Sequence, residues 1–295
     1  MSKDKKILVI DGQHLAHRAN YRFMKYQTDG GLKSGLAFGV PYMVEALVRR
    51  FRADEVHIAF DKGKSPYRLG LLPNYKNREK KLGFDFESFH SQLSDVMEVL
   101  KNMGCIVYYG GEADDTLYRI VRKQRKHKVF ITLVSGDKDF VQMLAPKYKH
   151  KYVLKIFNPN KDAIVTPKNS LELYGYTPKE CVDWLVLDGD KSDKIPGVKG
   201  FGKVKIRKFL EQYESISEYL AIIEDSKIRD TYELNRKLID LDIYYHEYGR
   251  DESIYRLNKD SVYDLAKIKQ FAKKYQLSVV FKSQFMSTME GLAND

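Results

Sequence analysis

The sequence of 295 residues contains only two cysteines, Cys105 and Cys181. Two cysteines are too few for a disulfide framework or for a zinc site built on cysteine. No apolar run is longer than five residues, whereas a transmembrane helix needs about 20. The amino terminus offers four apolar residues, Ile7 to Ile10, where a secretory signal needs about seven or more. We therefore expect a cytoplasmic protein that has no membrane partner.

Positive charge is in excess. The chain has 51 Lys and Arg residues against 40 Asp and Glu residues, which gives a formal net charge of +11. Its hydrophobic fraction of 43% is typical of a folded globular protein, and its length allows one large domain or two smaller ones. The surplus favours a polyanionic partner, although many basic proteins have none.

The first 160 residues repeat one pattern, in which a short apolar run is followed by a helix-like stretch. Residues 40–51 have the one-sided apolar stripe of an amphipathic helix, and residues 113–121 repeat that spacing. Short apolar runs between helices predict strands of a parallel sheet that is buried on both faces. The five runs are Ile7 to Ile10, Val56 to Phe60, Cys105 to Tyr109, Val129 to Val134 and Val153 to Phe157.

The pattern changes after about residue 165. Pro167, Pro178 and Pro196 separate helical segments, and the next possible strand is a short one near Ser278 to Phe281. We predict an α/β fold with a mostly parallel central sheet flanked by helices, followed by a mainly helical region.

Acidic residues directly follow four of the predicted strands. Because the carboxyl ends of parallel strands share one edge of the sheet, these acids should converge there. A further acidic cluster, at residues 188–193, could reach the same edge. The residues that we propose for the site are Asp11, Asp61, Glu112, Asp114, Asp115, Asp137, Asp139, Asp190 and Asp193.

Each of these acids taken alone could be a turn former or a helix N-cap. Together, however, they would repel one another strongly unless a cation neutralised them. No histidine or cysteine accompanies them with a ligand-like spacing, which favours a hard cation that prefers oxygen ligands. An acidic pocket of this kind in a basic protein points to phosphodiester hydrolysis assisted by two divalent ions.

Two segments are strongly basic. Residues 194–210 contain six Lys and Arg residues and no acid, and Gly197 to Lys203 satisfies the spacing of a P-loop. We reject a P-loop because Val204 replaces the Ser or Thr that would hold magnesium and because no strand precedes the segment. A Gly-rich hairpin that binds a nucleic-acid phosphate through backbone amides is the preferred interpretation, and an ordinary glycine turn is the alternative.

The other basic segment, residues 62–81, contains seven Lys and Arg residues and one acid, Glu79. It begins directly after Asp61, so its cations start at the predicted site. Lys76 and Arg78 could contact the scissile phosphate, and Tyr67 or Tyr75 could stack on an unpaired base. A solvated loop is the alternative.

Taken in order, these motifs resemble the 5′-nuclease family, which includes flap endonucleases, the N-terminal nuclease domain of bacterial DNA polymerase I and bacteriophage 5′–3′ exonucleases. The motifs are Val-Ile-Asp-Gly at 9–12, Phe-Asp-Lys-Gly-Lys-Ser at 60–65, Gly-Glu-Ala-Asp-Asp at 111–115, Ser-Gly-Asp-Lys-Asp-Phe at 135–140, Gly-Asp-Lys-Ser-Asp at 189–193 and Ile-Pro-Gly-Val-Lys-Gly-Phe-Gly at 195–202.

The resemblance implies a core of the kind found in PIN-like nucleases, with two Mg²⁺ or Mn²⁺ ions held by the nine acids. It also implies a helical arch over the site, and a helix–hairpin–helix-like element that holds duplex DNA and in some relatives K⁺, here at Gly197 to Gly202. Lys76 falls where the family places its arch lysine, and Arg78 where it has a basic neighbour. We expect a catalytic core over residues 1–180, with the arch at about 62–96. A DNA-binding region with a Gly-rich hairpin at 195–203 would occupy residues 181–295.

The DNA contacts that we expect lie in the arch and the hairpin. They are Lys62, Lys64, Tyr67, Arg68, Tyr75, Lys80, Lys81, Gly197, Lys199, Gly200, Gly202, Lys203, Lys205 and Arg207.

The function that follows is a structure-specific 5′ nuclease in a bacterial or phage-infected cell, a monomer active in primer removal or repair. Its substrate would be DNA with a 5′ flap or 5′ end, and also RNA in RNA:DNA hybrids. Two alternatives stay open at this point. One is a PIN-type endoribonuclease, which would not need the basic hairpin, and the other is a DNA-junction-binding protein without catalytic activity.

Overall fold

A computed structural model describes residues 4–77, 84–124, 127–145, 153–213, 216, 219–220, 225–248, 262–278 and 280–294. Six strands form one sheet: β1 (Lys5–Asp11), β2 (Glu55–Phe60), β3 (Ile106–Tyr109), β4 (Val129–Val134), β5 (Val153–Asn158) and β6 (Ala163–Val165). Their order is β3-β2-β1-β4-β5-β6, and all neighbours are parallel except β5 and β6. The mostly parallel sheet that the sequence predicts is therefore confirmed.

The helices in the N-terminal part are α1 (Gly12–Arg22), α2 (Gly35–Phe51), α3 (Pro66–Leu71), α4 (Phe86–Asn102) and α5 (Ala113–Lys123). A 3₁₀ helix covers Asp139–Leu144. After β6 come α6 (Ser170–Tyr174), α7 (Cys181–Asp188), α8 (Lys203–Gln212), α9 (Ser226–Ile239), α10 (Leu241–Glu247), α11 (Leu265–Lys274) and α12 (Ser283–Asn294). None of the helices in the described part of the chain has the length and hydropathy of a membrane span.

Two hydrophobic cores lie on opposite faces of the sheet, because successive side chains of a strand point to opposite sides. Ile7 and Val9 of β1 face a core that contains residues of α5, α7, α8 and α9. Leu8 and Ile10 face the other core, which contains residues of α1, α2, α4, α11 and α12. The chain is therefore wound on both sides of the sheet, and α11 and α12 return to pack against α4 and α2.

Two details differ from the sequence prediction. The short antiparallel strand β6 was not predicted, because a three-residue edge strand leaves little apolar pattern to detect. The possible strand near Ser278 to Phe281 is wrong. There, the chain turns between α11 and α12. Leu277 O accepts hydrogen bonds from Val280 N and Phe281 N, which is the pattern of a turn and not of a strand.

Part of the predicted arch is a core helix. α4 begins at Phe86, where the Asp85 carboxylate caps it by accepting a hydrogen bond from Ser88 N. It buries Phe89, Leu93 and Val96. The division of the chain at residue 180 stays a prediction.

Sheet topology determines where a site can form. The chain proceeds from β1 outward through β2 to β3 and then returns to place β4 on the other side of β1. Connections that leave in opposite directions from two neighbouring strands open a crevice at their carboxyl ends. In this protein the crevice lies between Asp11, at the end of β1, and Ser135, directly after β4.

Candidate active site

A cavity of about 820 Å³ occupies this crevice. We call it the carboxylate cavity. Seven of the nine predicted acids line it: Asp11, Asp61, Asp114, Asp137, Asp139, Asp190 and Asp193. Lys76, Lys138 and Lys203 also line it. The structure therefore brings together acids that follow four strands, β1 to β4, and acids from the loop after α7.

Backbone amides and one hydroxyl hold the acids at the ends of β1 and β4. Asp11 caps α1 by accepting a hydrogen bond from His14 N at 2.8 Å, and its other carboxylate oxygen accepts one from Ser135 Oγ at 2.8 Å. Ser135 Oγ in turn accepts a hydrogen bond from Asp137 N at 3.1 Å. Asp137 accepts one from Asp139 N at 2.9 Å. This chain of hydrogen bonds fixes both strand ends relative to each other.

The acids after β2 and β3 are joined in a similar way. Asp61 accepts a hydrogen bond from Ala113 N, at the start of α5, at 2.7 Å. That bond places Asp114, in the first turn of α5, beside the end of β2. The Gly110–Gly111 pair precedes this helix, and Gly111 has a φ of 52°, a left-handed conformation that glycine adopts without strain.

Burial and the charges of neighbouring acids make ionisation unfavourable for four of the cavity acids, Asp61, Asp114, Asp137 and Asp139. Burial raises the pKa of Asp61 to about 6, and the charges of Asp11 and Glu112 add to the effect. Burial and the neighbouring Asp137 raise the pKa of Asp114 well above its usual range. The pKa values of Asp137 and Asp139 are raised for the same reasons.

A bound cation would relieve this repulsion, and the donor set fits one. Asp139 Oδ1 is buried and has no hydrogen-bond partner in the described structure, as expected of an oxygen that faces a cation. All seven acids offer oxygen, the donor that Mg²⁺ and Mn²⁺ prefer. Among the described residues, no three of these groups already stand as close together as a metal cage requires.

Glu112 and Asp115, the two remaining predicted acids, do not line the cavity. Glu112 Oε2 accepts hydrogen bonds from Tyr75 OH at 2.9 Å and from Lys76 Nζ at 2.7 Å. Burial opposes ionisation of Glu112, yet Lys76 and Arg68 outweigh it and lower the pKa. The structure therefore gives Glu112 a second role that the sequence did not reveal, which is to hold the arch lysine at the wall of the cavity.

Asp115 receives two hydrogen bonds from the guanidinium of Arg68, at 2.7 and 2.8 Å. Arg68 also donates to Leu238 O at 2.9 Å, and its guanidinium lies 4.2 Å from the Tyr244 ring. Its side chain is only 3% exposed. The predicted DNA contact for Arg68 is therefore wrong, because a charged group paired in the interior cannot reach a phosphate.

Tyr75 and Tyr67 are also not available for stacking on a base as predicted. Tyr75 is buried and bonded to Glu112. Tyr67 donates a hydrogen bond to Glu247 at 2.5 Å and stacks on Tyr248. Both tyrosines instead attach the predicted arch segment to other elements. Tyr75 bonds to Glu112, directly before α5, and Tyr67 bonds to Glu247 in α10.

Lys76 keeps the place that the sequence predicts, at the wall of the cavity. Its backbone has a φ of 49°, in the left-handed region that lysine rarely adopts. A hydrogen bond from Lys76 N to Asp193 O at 3.0 Å holds that conformation. Backbone strain at a residue that faces a site is typical of functional positions.

The remaining predicted arch residues divide into two groups. Lys62 and Lys64 are exposed at the start of the segment, where they can meet solvent or ligand. Arg78, Lys80 and Lys81 lie outside the described residues, so their predicted roles stay predictions.

The Gly-rich loop, Gly197 to Gly202, connects α7 to α8 as predicted. Gly197, Lys199, Gly200, Lys203 and Lys205 are exposed, and Gly202 is the N-cap of α8. Arg207 is held against the protein surface. Its guanidinium donates a hydrogen bond to Glu180 at 3.0 Å and lies 5.2 Å from the Trp184 ring, but its side chain is 26% exposed, so its predicted DNA contact stays a prediction.

Sequence reasoning did not select several residues that line the cavity. Asp188 ends α7 and faces the cavity, and Lys138 pairs with Asp190 at 3.2 Å. His14 and His17 of α1 also line it, although no histidine was assigned to the site from the sequence. Their spacing from Asp11 could have revealed them. Positions 14 and 17 follow Asp11, the N-cap of α1, by three and six residues, so they lie on the first turns of the helix that begins at the site.

Comparison with known proteins identifies the family. The family model described as "5′-3′ exonuclease, N-terminal resolvase-like domain" matches residues 6–175. The model described as "5′-3′ exonuclease, C-terminal SAM fold" matches residues 176–245. The 5′-3′ exonuclease of Buchnera aphidicola is 26% identical over 226 residues, which are 76% of this chain and 76% of that protein.

DNA polymerase I of Caldicellulosiruptor bescii is 27% identical over an alignment that covers 95% of this chain and 35% of that protein. The chain thus spans only about a quarter to a third of the polymerases that it matches.

Solved structures share the fold. The 5′-exonuclease of bacteriophage T5 with bound zinc aligns with a TM-score of 0.67 at 20% identity, over 92% of this chain and 98% of that one. A bacteriophage T5 flap endonuclease in a complex with DNA and metal ions aligns with a TM-score of 0.69 at 18% identity, over 97% of this chain and 100% of that one. From the two family matches, which together span residues 6–245, we conclude that the chain belongs to the 5′-3′ exonuclease family.

Proposed function

We propose that the protein is a metal-dependent 5′ nuclease that hydrolyses phosphodiester bonds near junctions between single-stranded and duplex DNA. The observation that carries this proposal is the carboxylate cavity, in which seven acids converge beside Lys76. Family membership and the complexes of structural relatives with DNA and metal ions support it. The substrates would be DNA with a 5′ flap or 5′ end, and RNA in RNA:DNA hybrids. The role would be primer removal or repair in the cytoplasm.

Two Mg²⁺ or Mn²⁺ ions would be held by the carboxylates of the cavity. When bound, such ions activate a water and stabilise the leaving oxygen in an in-line displacement. The protein contributes the arrangement of the acids, because His14 N and Ser135 Oγ donate hydrogen bonds to the two carboxylate oxygens of Asp11, and Asp139 N donates one to the carboxylate of Asp137. Asp139 and Asp114 leave oxygens directed at the cavity rather than at protein donors.

Lys76 contributes positive charge to the reacting phosphate. Burial disfavours its charged form, but Asp114 and Glu112 outweigh burial and raise the pKa of Lys76, so that it stays protonated. An ammonium fixed at the wall of the cavity can stabilise the negative charge that develops on the phosphate. Because the backbone of Lys76 is held by Asp193 O, the side chain does not have to reorganise before the reaction. Lys203 lines the same cavity from the start of α8 and can bind a neighbouring phosphate.

The exposed amides of the Gly-rich loop would hold duplex DNA by its phosphates, and K⁺ could assist at Gly197 to Gly202. Lys199 and Lys205 flank this loop at the surface. Replacement of K⁺ by Li⁺ in a binding assay tests this part, since an ion-assisted contact would lose duplex affinity while flap cleavage at saturating protein persists. We also propose that the protein acts as a monomer.

The experiment that tests the function uses a 5′-labelled flap substrate with and without Mg²⁺. We expect a short 5′ product only with Mg²⁺, and loss of that product in the Asp137→Asn/Asp139→Asn variant. Glu98→Gln is the matched control, since Glu98 is an exposed acid of α4 outside the cavity. Unchanged cleavage by the double variant would refute the proposal.

The two alternatives predict other results in the same assay. A PIN-type endoribonuclease would cut single-stranded RNA with no dependence on a duplex. A DNA-junction-binding protein would bind the flap substrate tightly and release no product at any Mg²⁺ concentration.

A further inference from the structure

A second cavity, of about 450 Å³, opens at the opposite edge of the sheet. We call it the basal groove. It lies between the C-terminal end of α2 and the amino ends of β1, β4 and β5. Lys6 lines it, whereas Asp11 of the same strand lines the carboxylate cavity, and five residues of strand separate them by about 17 Å. The basal groove is therefore a separate site that the nuclease chemistry does not use.

The floor of the groove is apolar and exposed. Phe130 of β4 and Val153 of β5 are direct partners in the parallel register. They are 43% and 55% exposed, respectively. Parallel sheets are usually covered on both faces, so two adjacent apolar side chains on neighbouring strands leave a surface that a partner could cover.

The rim of the groove is cationic. Lys6, Arg50, Arg52 and Lys155 all line it, and no acid does so among the described residues. Arg50 is paired with Asp162 at 2.7 Å. In the described part of the chain, Lys6, Arg52 and Lys155 have no carboxylate within salt-bridge distance. Among the described residues, three cations that form no ion pair therefore surround an apolar floor.

We propose that the basal groove docks an acidic peptide segment of a partner protein, a segment that carries an aromatic or large aliphatic side chain. The apolar side chain would cover Phe130 and Val153, and the flanking acids would pair with Lys6, Arg52 and Lys155. Charge complementarity selects an acidic partner. The size of the groove, which accommodates one or two side chains, favours a peptide over a nucleic-acid strand, because a strand needs a basic groove that follows its backbone over several nucleotides.

Fluorescence anisotropy with three labelled peptides tests the proposal on the full chain. The probe has six aspartates followed by Phe-Leu. One control peptide replaces Phe-Leu with two serines, and the other replaces the aspartates with serines. We expect the probe to bind at least about tenfold more tightly than either control, since only the probe combines burial of apolar side chains with ion pairs to the rim.

Variants locate the binding site. Arg52→Glu/Lys155→Glu should weaken probe binding by about tenfold or more, and Phe130→Ser by several-fold. Lys199→Glu/Lys205→Glu makes the same change of charge on the Gly-rich loop and should leave probe binding within about twofold. Flap cleavage by Arg52→Glu/Lys155→Glu should equal that of the unmodified protein. Peptide binding is measured separately from cleavage, so the test of the basal groove does not depend on the proposed nuclease function.

Three outcomes would overturn the proposal. The first is equal binding of the probe and the serine-ended acidic peptide, which would mean that the apolar floor has no role. The second is equal weakening by the two charge-reversal pairs, which would mean that the probe senses only net charge. The third is a ten-nucleotide oligothymidylate whose binding depends on Arg52 and Lys155 while the probe's does not, which would make the groove a nucleic-acid site.

Discussion

The guanidinium of Arg68 and the carboxylate of Asp115 form a paired charge in the interior, with two hydrogen bonds of 2.7 and 2.8 Å. The same guanidinium reaches Glu112 at 3.3 Å and Leu238 O at 2.9 Å. Glu112 holds Lys76, and Leu238 lies in α9, so this pair connects the base of the arch, the wall of the cavity and the helical region.

Replacement of Arg68 by methionine should therefore be strongly destabilising. It would leave the buried Asp115 carboxylate without its partner, a change that costs about 3–5 kcal/mol. Urea unfolding measures the loss. Lys128→Met is the control, because Lys128 forms an ion pair with Asp4 in which both side chains are exposed, worth only about 0.5 kcal/mol. If burial of an unpaired charge is the cause, Arg68→Met/Asp115→Leu should recover most of the lost stability, and no recovery would contradict this explanation.

Lys76→Ala should lower kcat by about 100-fold to 1000-fold, because it removes a fixed positive charge at the reacting phosphate. The midpoint of thermal unfolding should also fall, because the buried Glu112 carboxylate keeps Arg68 but loses the ammonium that donates to it at 2.7 Å, so kcat is measured at a temperature at which the variant is folded. Steady-state cleavage of a flap substrate gives kcat and KM separately. Lys62→Ala, which removes an exposed lysine of the same segment, should raise KM and leave kcat nearly unchanged. A fall in kcat of the same size for both variants would contradict a specific role for Lys76.

The stability of the protein in a chelating buffer should decrease as the pH rises from about 4 to about 6. The folded pKa of Asp61 is about 6, above its ordinary value of 3.8, so the folded state binds the additional proton in this range. An acid with a raised pKa makes folding less favourable as the pH increases. Urea unfolding at several pH values measures the slope. Asp61→Asn should flatten it, and an equally steep slope in that variant would contradict the assignment to Asp61.

Asp114→Asn should stabilise the metal-free protein and abolish the additional stabilisation by Mg²⁺. Burial and repulsion from Asp137 raise the pKa of Asp114, so removal of its charge relieves unfavourable interactions. We expect a rise of a few degrees in the unfolding temperature in chelating buffer, on the order of 1 kcal/mol. Differential scanning calorimetry with and without Mg²⁺ checks both parts. Glu98→Gln should keep the full response to Mg²⁺, and a response retained by Asp114→Asn would count against its place in the cation site.

Gly189→Ala should destabilise the turn that follows α7. Gly189 has a φ of 72°, and a Cβ at this position would lie 2.5 Å from Gly197 N and 2.6 Å from Ile195 O. Gly202→Ala is the matched control, since its φ is −88° and a Cβ there meets nothing within 4 Å. We expect a loss of about 1–3 kcal/mol for Gly189→Ala and much less for Gly202→Ala. Equal losses would contradict a backbone cause.

The sequence was sufficient to predict the sheet and the convergence of acids at one edge. All five predicted strands are present, because each is an apolar run long enough to be buried on both faces. Asp11, Asp61, Asp114 and Asp137 follow strands or open a helix after one, so topology alone brings them together. Asp188 was missed because it belongs to α7, and the orientation of a helix against a sheet edge cannot be derived from chain order.

The roles of individual cations could not be predicted. Lys76 and Arg68 stand in the same basic segment, yet one faces the cavity and the other is buried beneath it. Composition shows only that a residue carries charge. The structure shows that Asp115 and Tyr244 lie where they can accommodate Arg68 in the interior, and that information depends on contacts across 47 and 176 positions of sequence.

The spacing of the site along the chain has a consequence for synthesis. Asp11 forms part of the cavity at the start of the chain, Asp193 closes it much later, and the Arg68 anchor on Leu238 comes later still. Because a chain folds progressively as it leaves the ribosome, the carboxylate cavity and its Arg68 anchor cannot be completed until residue 238 has emerged. A nascent chain that stops before this point would carry the strands and most of the acids without the assembled cavity.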